Sequence, residues 1–246
     1  MRRLTDITSV FRIQLISMRA EAGPFLLAAL VFPAAMYLFA NAVGGVAAAN
    51  DESRLRFLAG SIVFSLSLTS ISWLGYLLLE NRFTGRLKLF ATLPLAPSSY
   101  IFGILVFAFA QAALATVTLI LMGRALGVHV LPNIMSIALV VMLTVLCLCG
   151  FGVIIAARAR SFTEGSLLTD ALGAGLVFLA PIYYTAETMP HGLRVVSEWL
   201  PTTFAARAIV TTLAGGYRIG TELLALGLMA VATLALGFRL TKWRED

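Results

Sequence analysis

Residues 80–99 read ENRFTGRLKLFATLPLAPSS, and this stretch separates two long apolar runs of the chain. Its first half carries four charged side chains, namely Glu80, Arg82, Arg86 and Lys88. Phe83, Leu87 and Phe90 follow one another at spacings of four and three residues, which places them on one face of a helix. Pro94 and Pro97 would end that helix. The stretch therefore predicts a short amphipathic helix, which either lies on lipid headgroups or docks onto a soluble partner.

The composition of the whole chain is that of an integral membrane protein. Of its 246 residues, 60% are hydrophobic and only 12% are charged, whereas soluble domains have roughly 25% charged residues. The net charge is +6. The basic residues are spread between apolar runs, so we interpret them as topology signals and expect no nucleic acid partner.

Six apolar runs have the length of about 20 residues that is needed to cross a bilayer. They cover residues 24–43, 57–79, 100–122, 133–156, 166–184 and 221–240. An amphipathic segment at residues 1–22 precedes them, and its apolar side chains recur at helical spacing: Leu4, Ile7, Phe11, Leu15 and Met18. The chain is therefore predicted to be an all-α integral membrane protein, with six transmembrane helices after an N-terminal interfacial helix.

The distribution of Lys and Arg predicts the topology. Basic residues are most frequent in the N-terminal segment, after the second and fourth runs, and at the C-terminal end. They are fewer in the segments that alternate with these. The positive-inside rule then places both termini and residues 80–99 in the cytoplasm, in a multi-pass protein of the cytoplasmic membrane.

Small polar side chains recur along one face of the second run, and they are Ser61, Ser65, Thr69 and Ser72. Such residues let helices approach closely and form hydrogen bonds between them, so we favour a packing role over a substrate-lining role. Ser65 and Thr69 nevertheless remain candidates for a substrate pathway, together with Gln111 of the third run. Cys147 and Cys149 are two residues apart and point to different sides of a helix, which favours core packing over a metal site.

Asp170 is the carboxylate that this hydropathy pattern places inside a span, close to its cytoplasmic end. An ionisable group at membrane depth is a functional candidate, and we include it in the predicted substrate pathway. A structural ion pair with Arg158 or Arg160 is the favoured interpretation, ahead of a proton site or a substrate site.

Residues 185–220 form a long segment on the predicted outer side. The stretches 191–200 and 203–210 both have the composition of short helices, and neither is long enough to span. Two short helices joined at Pro201 predict a broken hairpin that enters the outer leaflet and turns back before the last span.

Several motifs of enzymes are absent from the sequence. There is no GxxxxGK[ST] loop to hold ATP phosphates, and there is no HExxH, CxxC or GxSxG. We therefore expect no catalytic residues, no metal site and no cofactor in this chain.

The layout resembles the type-2 permeases of ATP-binding-cassette (ABC) exporters over essentially the whole chain, as a single permease domain at residues 1–246. Residues 80–95 are similar to the family's Glu…Gly-Thr-Leu…Thr-Pro-Leu pattern around its coupling helix. The segment that contains Pro181, Pro190 and Pro201 is similar to the family's proline-spaced segment, and Arg207 closes it. Two departures are basic residues after the glycine, where the family often has acidic or polar ones, and Leu200 in place of an Asn.

This resemblance implies a permease subunit that exports an amphipathic or lipidic compound, such as a drug, natural product or glycolipid. It implies two separate ATP-binding subunits, which bind ATP and Mg, and a second permease copy that is either identical or a close paralogue. It also implies that a coupling helix contacts the ATPase, and that the contacts involve Glu80, Arg82, Phe83, Gly85, Arg86, Leu87 and Phe90.

Two other functions stay open at this point. One is a secondary transporter that is driven by protons through titration of Asp170. The other is a haem-handling or assembly permease of the same superfamily, which the outer hairpin and the lack of His within the spans disfavour.

Overall fold

The computed structural model describes residues 8–16, 31–43, 50–86, 97–183 and 189–241. These residues form helices joined by turns, and none of them is in a strand. The first helix, α1, covers residues 8–16. The others are α2 (Phe32–Val43), α3 (Asp51–Phe83), α4 (Pro97–Ala125), α5 (Ile134–Arg158), α6 (Phe162–Phe178), α7 (His191–Glu198), α8 (Pro201–Leu213) and α9 (Gly220–Leu240).

Four of the described helices are long and apolar enough to cross a membrane, and they are α3, α4, α5 and α9. They correspond to the second, third, fourth and sixth predicted runs. The first run is described only from residue 31, and α6 has 17 residues and ends at Phe178. The six-span count therefore stays a prediction. The fifth run was predicted to reach residue 184, and its helix ends earlier because Pro181 disfavours helical geometry in the residue before it.

Side-chain caps explain where three of the long helices begin. The Asn50 side chain accepts a hydrogen bond from the backbone N–H of Ser53 at 3.0 Å. Asn133 does the same for the N–H groups of Met135 and Ser136. At α6, Ser161 accepts from the N–H of Glu164, whose carboxylate in turn accepts from the N–H of Arg160, close to the reciprocal arrangement of a capping box. These starts are encoded locally, because each cap bonds to the first turn that follows it.

Helix α3 lies at the centre of the described fold and contains a π-helical segment, Leu68–Trp73. Glycines of its neighbours lie close to this segment: Gly152 of α5 near the carbonyls of Ser70 and Ile71, and Gly173 of α6 near the Ser72 hydroxyl. A π turn holds an extra residue, so the predicted polar face is not one straight stripe. The four residues of the predicted polar face are nevertheless all buried, and they are Ser61, Ser65, Thr69 and Ser72.

Helix α1 packs on the bundle, and its buried residues differ from the predicted ones. Val10 and Gln14 are its buried residues. The ring of Phe11 lies 6.2 Å from that of Phe107, while Ile13 and Ile16 are exposed. Residues 8–16 are helical as predicted, and Phe11 of the predicted stripe contacts α4. The most buried positions, however, are each one residue before Phe11 and Leu15.

The two short helices predicted between residues 191 and 210 are present as α7 and α8. Pro201 occupies the first turn of α8, where its missing N–H costs no hydrogen bond. The Thr203 hydroxyl donates to the carbonyl of Ser197 at 2.6 Å, and this hydrogen bond joins α8 to α7. The Thr202 hydroxyl donates to the carbonyl of Leu176 at 2.6 Å and so attaches α8 to α6.

Candidate functional site

Helix α3 ends within the stretch that was predicted to contact a partner. Its last turn runs to Phe83, and the N–H of Thr84 still donates to the carbonyl of Glu80 at 2.9 Å. The backbone φ angle of Gly85 is 77°. This left-handed conformation commonly ends helices, and glycine adopts it without strain. Phe83 therefore belongs to the last turn of α3, and the prediction that it shares one helical face with Leu87 and Phe90 is wrong. Leu87 and Phe90 lie outside the described residues.

The side chain of Arg82 points into the bundle. Its Nη1 donates to the carbonyl oxygens of Ala156 at 2.8 Å and Ala159 at 2.9 Å, with a longer contact to Ala157 at 3.4 Å. The last carbonyls of a helix lack partners within the helix and carry partial negative charge. Arg82 therefore binds the C-terminal end of α5 and joins it to the end of α3. Arg82 is one of the seven residues that were predicted to contact the ATPase. Its guanidinium group binds carbonyls of its own chain instead.

A second buried contact fixes the same end of α3 to the next helix. The side-chain amide of Asn81 donates to the hydroxyl of Tyr100 at 2.7 Å, and both residues are buried. They flank the undescribed residues 87–96, so the two helices on either side of that stretch are tied together. This pair was not among the predicted site residues. Its only signal in the sequence is an amide beside charged residues at the end of an apolar run.

The remaining described residues of this region form a surface. Arg86 and Glu80 make an ion pair with an N–O distance of 3.0 Å, and their side chains are 57% and 46% exposed. Phe83 is 41% exposed beside them. An ion pair this exposed adds little stability. We refer to residues 80–86 as the α3 end turn: Asn81 and Arg82 point inward, while Glu80, Phe83 and Arg86 remain available to a partner.

The predicted pathway residues differ in their exposure. Ser65, Thr69 and Gln111 are buried, with 1%, 4% and 3% exposure, whereas Asp170 is exposed on α6. The Thr69 hydroxyl donates to the carbonyl of Ser65 at 2.9 Å, as a packed helix residue does. The Ser65 hydroxyl and both amide atoms of Gln111 have no hydrogen-bond partner in the part of the chain that the structure describes.

Asp170 has a partner other than the predicted arginines. The Tyr76 hydroxyl of α3 donates to its Oδ2 at 2.6 Å. Asp170 lies about 12 Å along α6 from Phe162, at 1.5 Å per residue. The predicted ion pair with Arg158 or Arg160 is therefore replaced by a hydrogen bond to Tyr76, because α3 rather than the α5–α6 turn lies beside this carboxylate.

The predicted residues of the outer segment are spread along the chain between α6 and α8. Pro181 is half-buried after the end of α6, and Pro190 is exposed directly before α7. Pro201 is buried at the start of α8, while Arg207 is exposed on that helix. These residues shape the connection, and the structure does not bring them together as a binding site.

Comparison with known proteins identifies a family for this chain. The family model described as ABC-2 type transporter matches residues 5–214, which include all described elements from α1 to α8. No curated protein matches the chain.

Proposed function

Because the chain belongs to the ABC-2 type transporter family, we propose that it is the permease subunit of an ATP-driven exporter of an amphipathic or lipidic compound. A drug, a natural product or a glycolipid would fit the apolar character of its helices. We place it in the cytoplasmic membrane with both termini in the cytoplasm, since the basic residues are most frequent in the segments that this topology puts inside.

We assign the source of energy to separate protein chains that bind ATP. The sequence has no glycine-rich loop that could hold the phosphates of ATP. Two ATP-binding subunits would therefore supply ATP hydrolysis and hold the nucleotide and Mg²⁺. A second permease copy, identical or a close paralogue, would complete the transport pathway.

The observation that carries this proposal is the anchoring of the α3 end turn. Arg82 ties the turn to the end of α5, and Asn81 ties it to α4 through Tyr100. A partner that pushes on the exposed side of the turn would thus displace three helices as a unit. Such rigid-body motion is a common way to convert a binding event into a change of conformation at a distance.

The direct test is co-purification with an ATP-binding subunit, followed by transport in vesicles. An adjacent reading frame that encodes an ATP-binding protein would be the first candidate for this subunit. We expect the two proteins to form a stable complex in which transport requires hydrolysable ATP. Transport that proceeds without any ATP-binding subunit would refute the proposal and restore the proton-driven alternative.

Replacing Phe83 by aspartate tests the exposed side of the turn. We expect transport, and the ATP hydrolysis that the transported compound stimulates, to fall about fivefold, because a charge would replace an apolar contact with the partner. Leu126→Asp is the matched control, since Leu126 has nearly the same exposure, 39% against 41%, but directly follows the C-terminal end of α4, whereas the α3 end turn is tied to the start of that helix. Equal activity of both variants, at equal amounts in the membrane, would contradict docking at this turn.

A further inference from the structure

A carboxylate and two aromatic rings lie together on the surface of the α3–α6 pair. Tyr76 donates its hydroxyl hydrogen to Asp170 at 2.6 Å, and its ring centroid is 6.1 Å from that of Phe162. Asp170 is exposed, and Phe162 is 41% exposed. We refer to these three residues as the α3–α6 carboxylate site.

Close packing of the two helices holds this site in place. Thr169 is fully buried against Gly75, where an added Cβ would overlap the Thr169 side chain. Further along, Gly165 lies against the side chain of Leu79 in the same way. Because Thr169 and Gly75 directly precede Asp170 and Tyr76 in the chain, their contact sets the distance between the carboxylate and the phenol. A site on two rigid helices is organised before any ligand binds.

The charge of Asp170 is not balanced within the described chain. Ion pairs among the described residues join Arg56 to Glu52, Arg86 to Glu80 and Arg194 to Glu198. Around Asp170, the same helix exposes the apolar residues Leu167 and Phe178, each 65% exposed. If α6 lies in the membrane as the sequence predicts, a carboxylate on this apolar surface is costly unless a cation or a polar partner covers it.

We propose that the α3–α6 carboxylate site binds the cationic headgroup of an amphiphile, with the apolar tail lying along α6 over Leu167. A carboxylate supplies the opposite charge, and the ring of Tyr76, which is bonded to that carboxylate, attracts an alkylammonium group through its π electrons. Phe162 packs beside the Tyr76 ring and holds it in place. The hydroxyl of Tyr76 orients the carboxylate. This inference rests on the proposed function and narrows its substrate class to amphipathic cations.

Binding of dodecyltrimethylammonium to the purified full-length chain tests this site. The protein is placed in phosphatidylcholine vesicles, and binding is measured as the excess over protein-free vesicles of the same lipid. Dodecyl maltoside serves as the neutral amphiphile. We expect Asp170→Asn to weaken binding of the cation about tenfold, as expected for loss of a charged partner, and to leave the neutral compound unchanged.

Further variants separate recognition of charge from a change of fold. Tyr76→Phe keeps the ring and removes the hydroxyl, so we expect an effect of about threefold. Asp170→Glu retains the charge and should retain most of the binding. Glu222→Gln removes the same charge from the first turn of α9 and should have no effect.

Three results would overturn the proposal. In the first, Asp170→Asn binds the cation as well as the original protein does. In the second, it loses the cation and the neutral compound equally. In the third, it changes the oligomeric state while cation binding persists, which would mean that a second copy covers Asp170. No ATP-binding subunit is present in this binding measurement. Its result therefore stands even if the proposed ATP-driven transport is refuted.

Discussion

Replacing Gly150 by alanine is expected to lower the free energy of unfolding by about 3 kcal/mol, because α5 and α9 meet at this residue without space for a side chain. An added Cβ would lie 2.6 Å from Cβ of Thr233 and 2.9 Å from its backbone carbonyl carbon. Backbone atoms cannot move aside as a flexible side chain can. The helices would have to separate, and the hydrogen bond from the Thr233 hydroxyl to the carbonyl of Cys147, now 3.1 Å long, would be lost.

Thermal unfolding of the purified protein in detergent measures this effect, and we expect a fall in Tm of about 5 °C or more. Gly175→Ala is the matched control, because Gly175 is also within a helix and an added Cβ meets nothing within 4 Å. Alanine at such a position is neutral or slightly stabilising, since it favours helix more than glycine does. If the two variants unfolded at the same temperature, the close contact of α5 and α9 would be contradicted.

Replacing Arg82 by alanine should have the second large effect, on both stability and coupling. The substitution removes the guanidinium group that binds the carbonyls of Ala156 and Ala159. The carbonyls at the end of α5 would then lack these charge-assisted bonds, and we expect a loss of about 2 kcal/mol in the free energy of unfolding. If the α3 end turn transmits motion to α5, transport should fall by more than stability alone explains, while the ATP-binding subunits still bind.

Two substitutions serve as controls for Arg82. Arg86→Ala removes an exposed ion pair with Glu80 and should change the free energy of unfolding by less than about 1 kcal/mol. Arg82→Lys keeps the charge but lacks the planar group that reaches several carbonyls, so we expect partial recovery. Unfolding in detergent compares all three variants. ATP-dependent transport compares Arg82→Ala with Arg82→Lys only, because Arg86 lies on the exposed side of the α3 end turn. Equal stability of Arg82→Ala and Arg86→Ala would show that the contacts to α5 are not important.

Hydropathy predicted much of the fold. Four of the six predicted spans are present as long apolar helices, and the two short helices around Pro201 are present as well. Each of these predictions depends on neighbours in the sequence. A run of apolar side chains requires a helix in lipid, and Asn50, Asn133 and Ser161 begin their helices by bonding to the turn that follows.

The candidate site was less predictable, because its contacts join residues that are far apart in the chain. Arg82 was assigned to a partner subunit, but it binds a carbonyl 74 positions away. Asp170 was assigned to a neighbouring arginine, but it binds a tyrosine 94 positions away.

Local sequence patterns were enough to identify a helical membrane protein of this family and to locate most of its long helices. The directions and partners of the charged side chains became clear only from the packing of those helices. The physical reason is the range of the forces involved. Hydrophobic periodicity and helix caps act within a few turns, whereas the direction of Arg82 and the partner of Asp170 depend on which helices pack together and at which register.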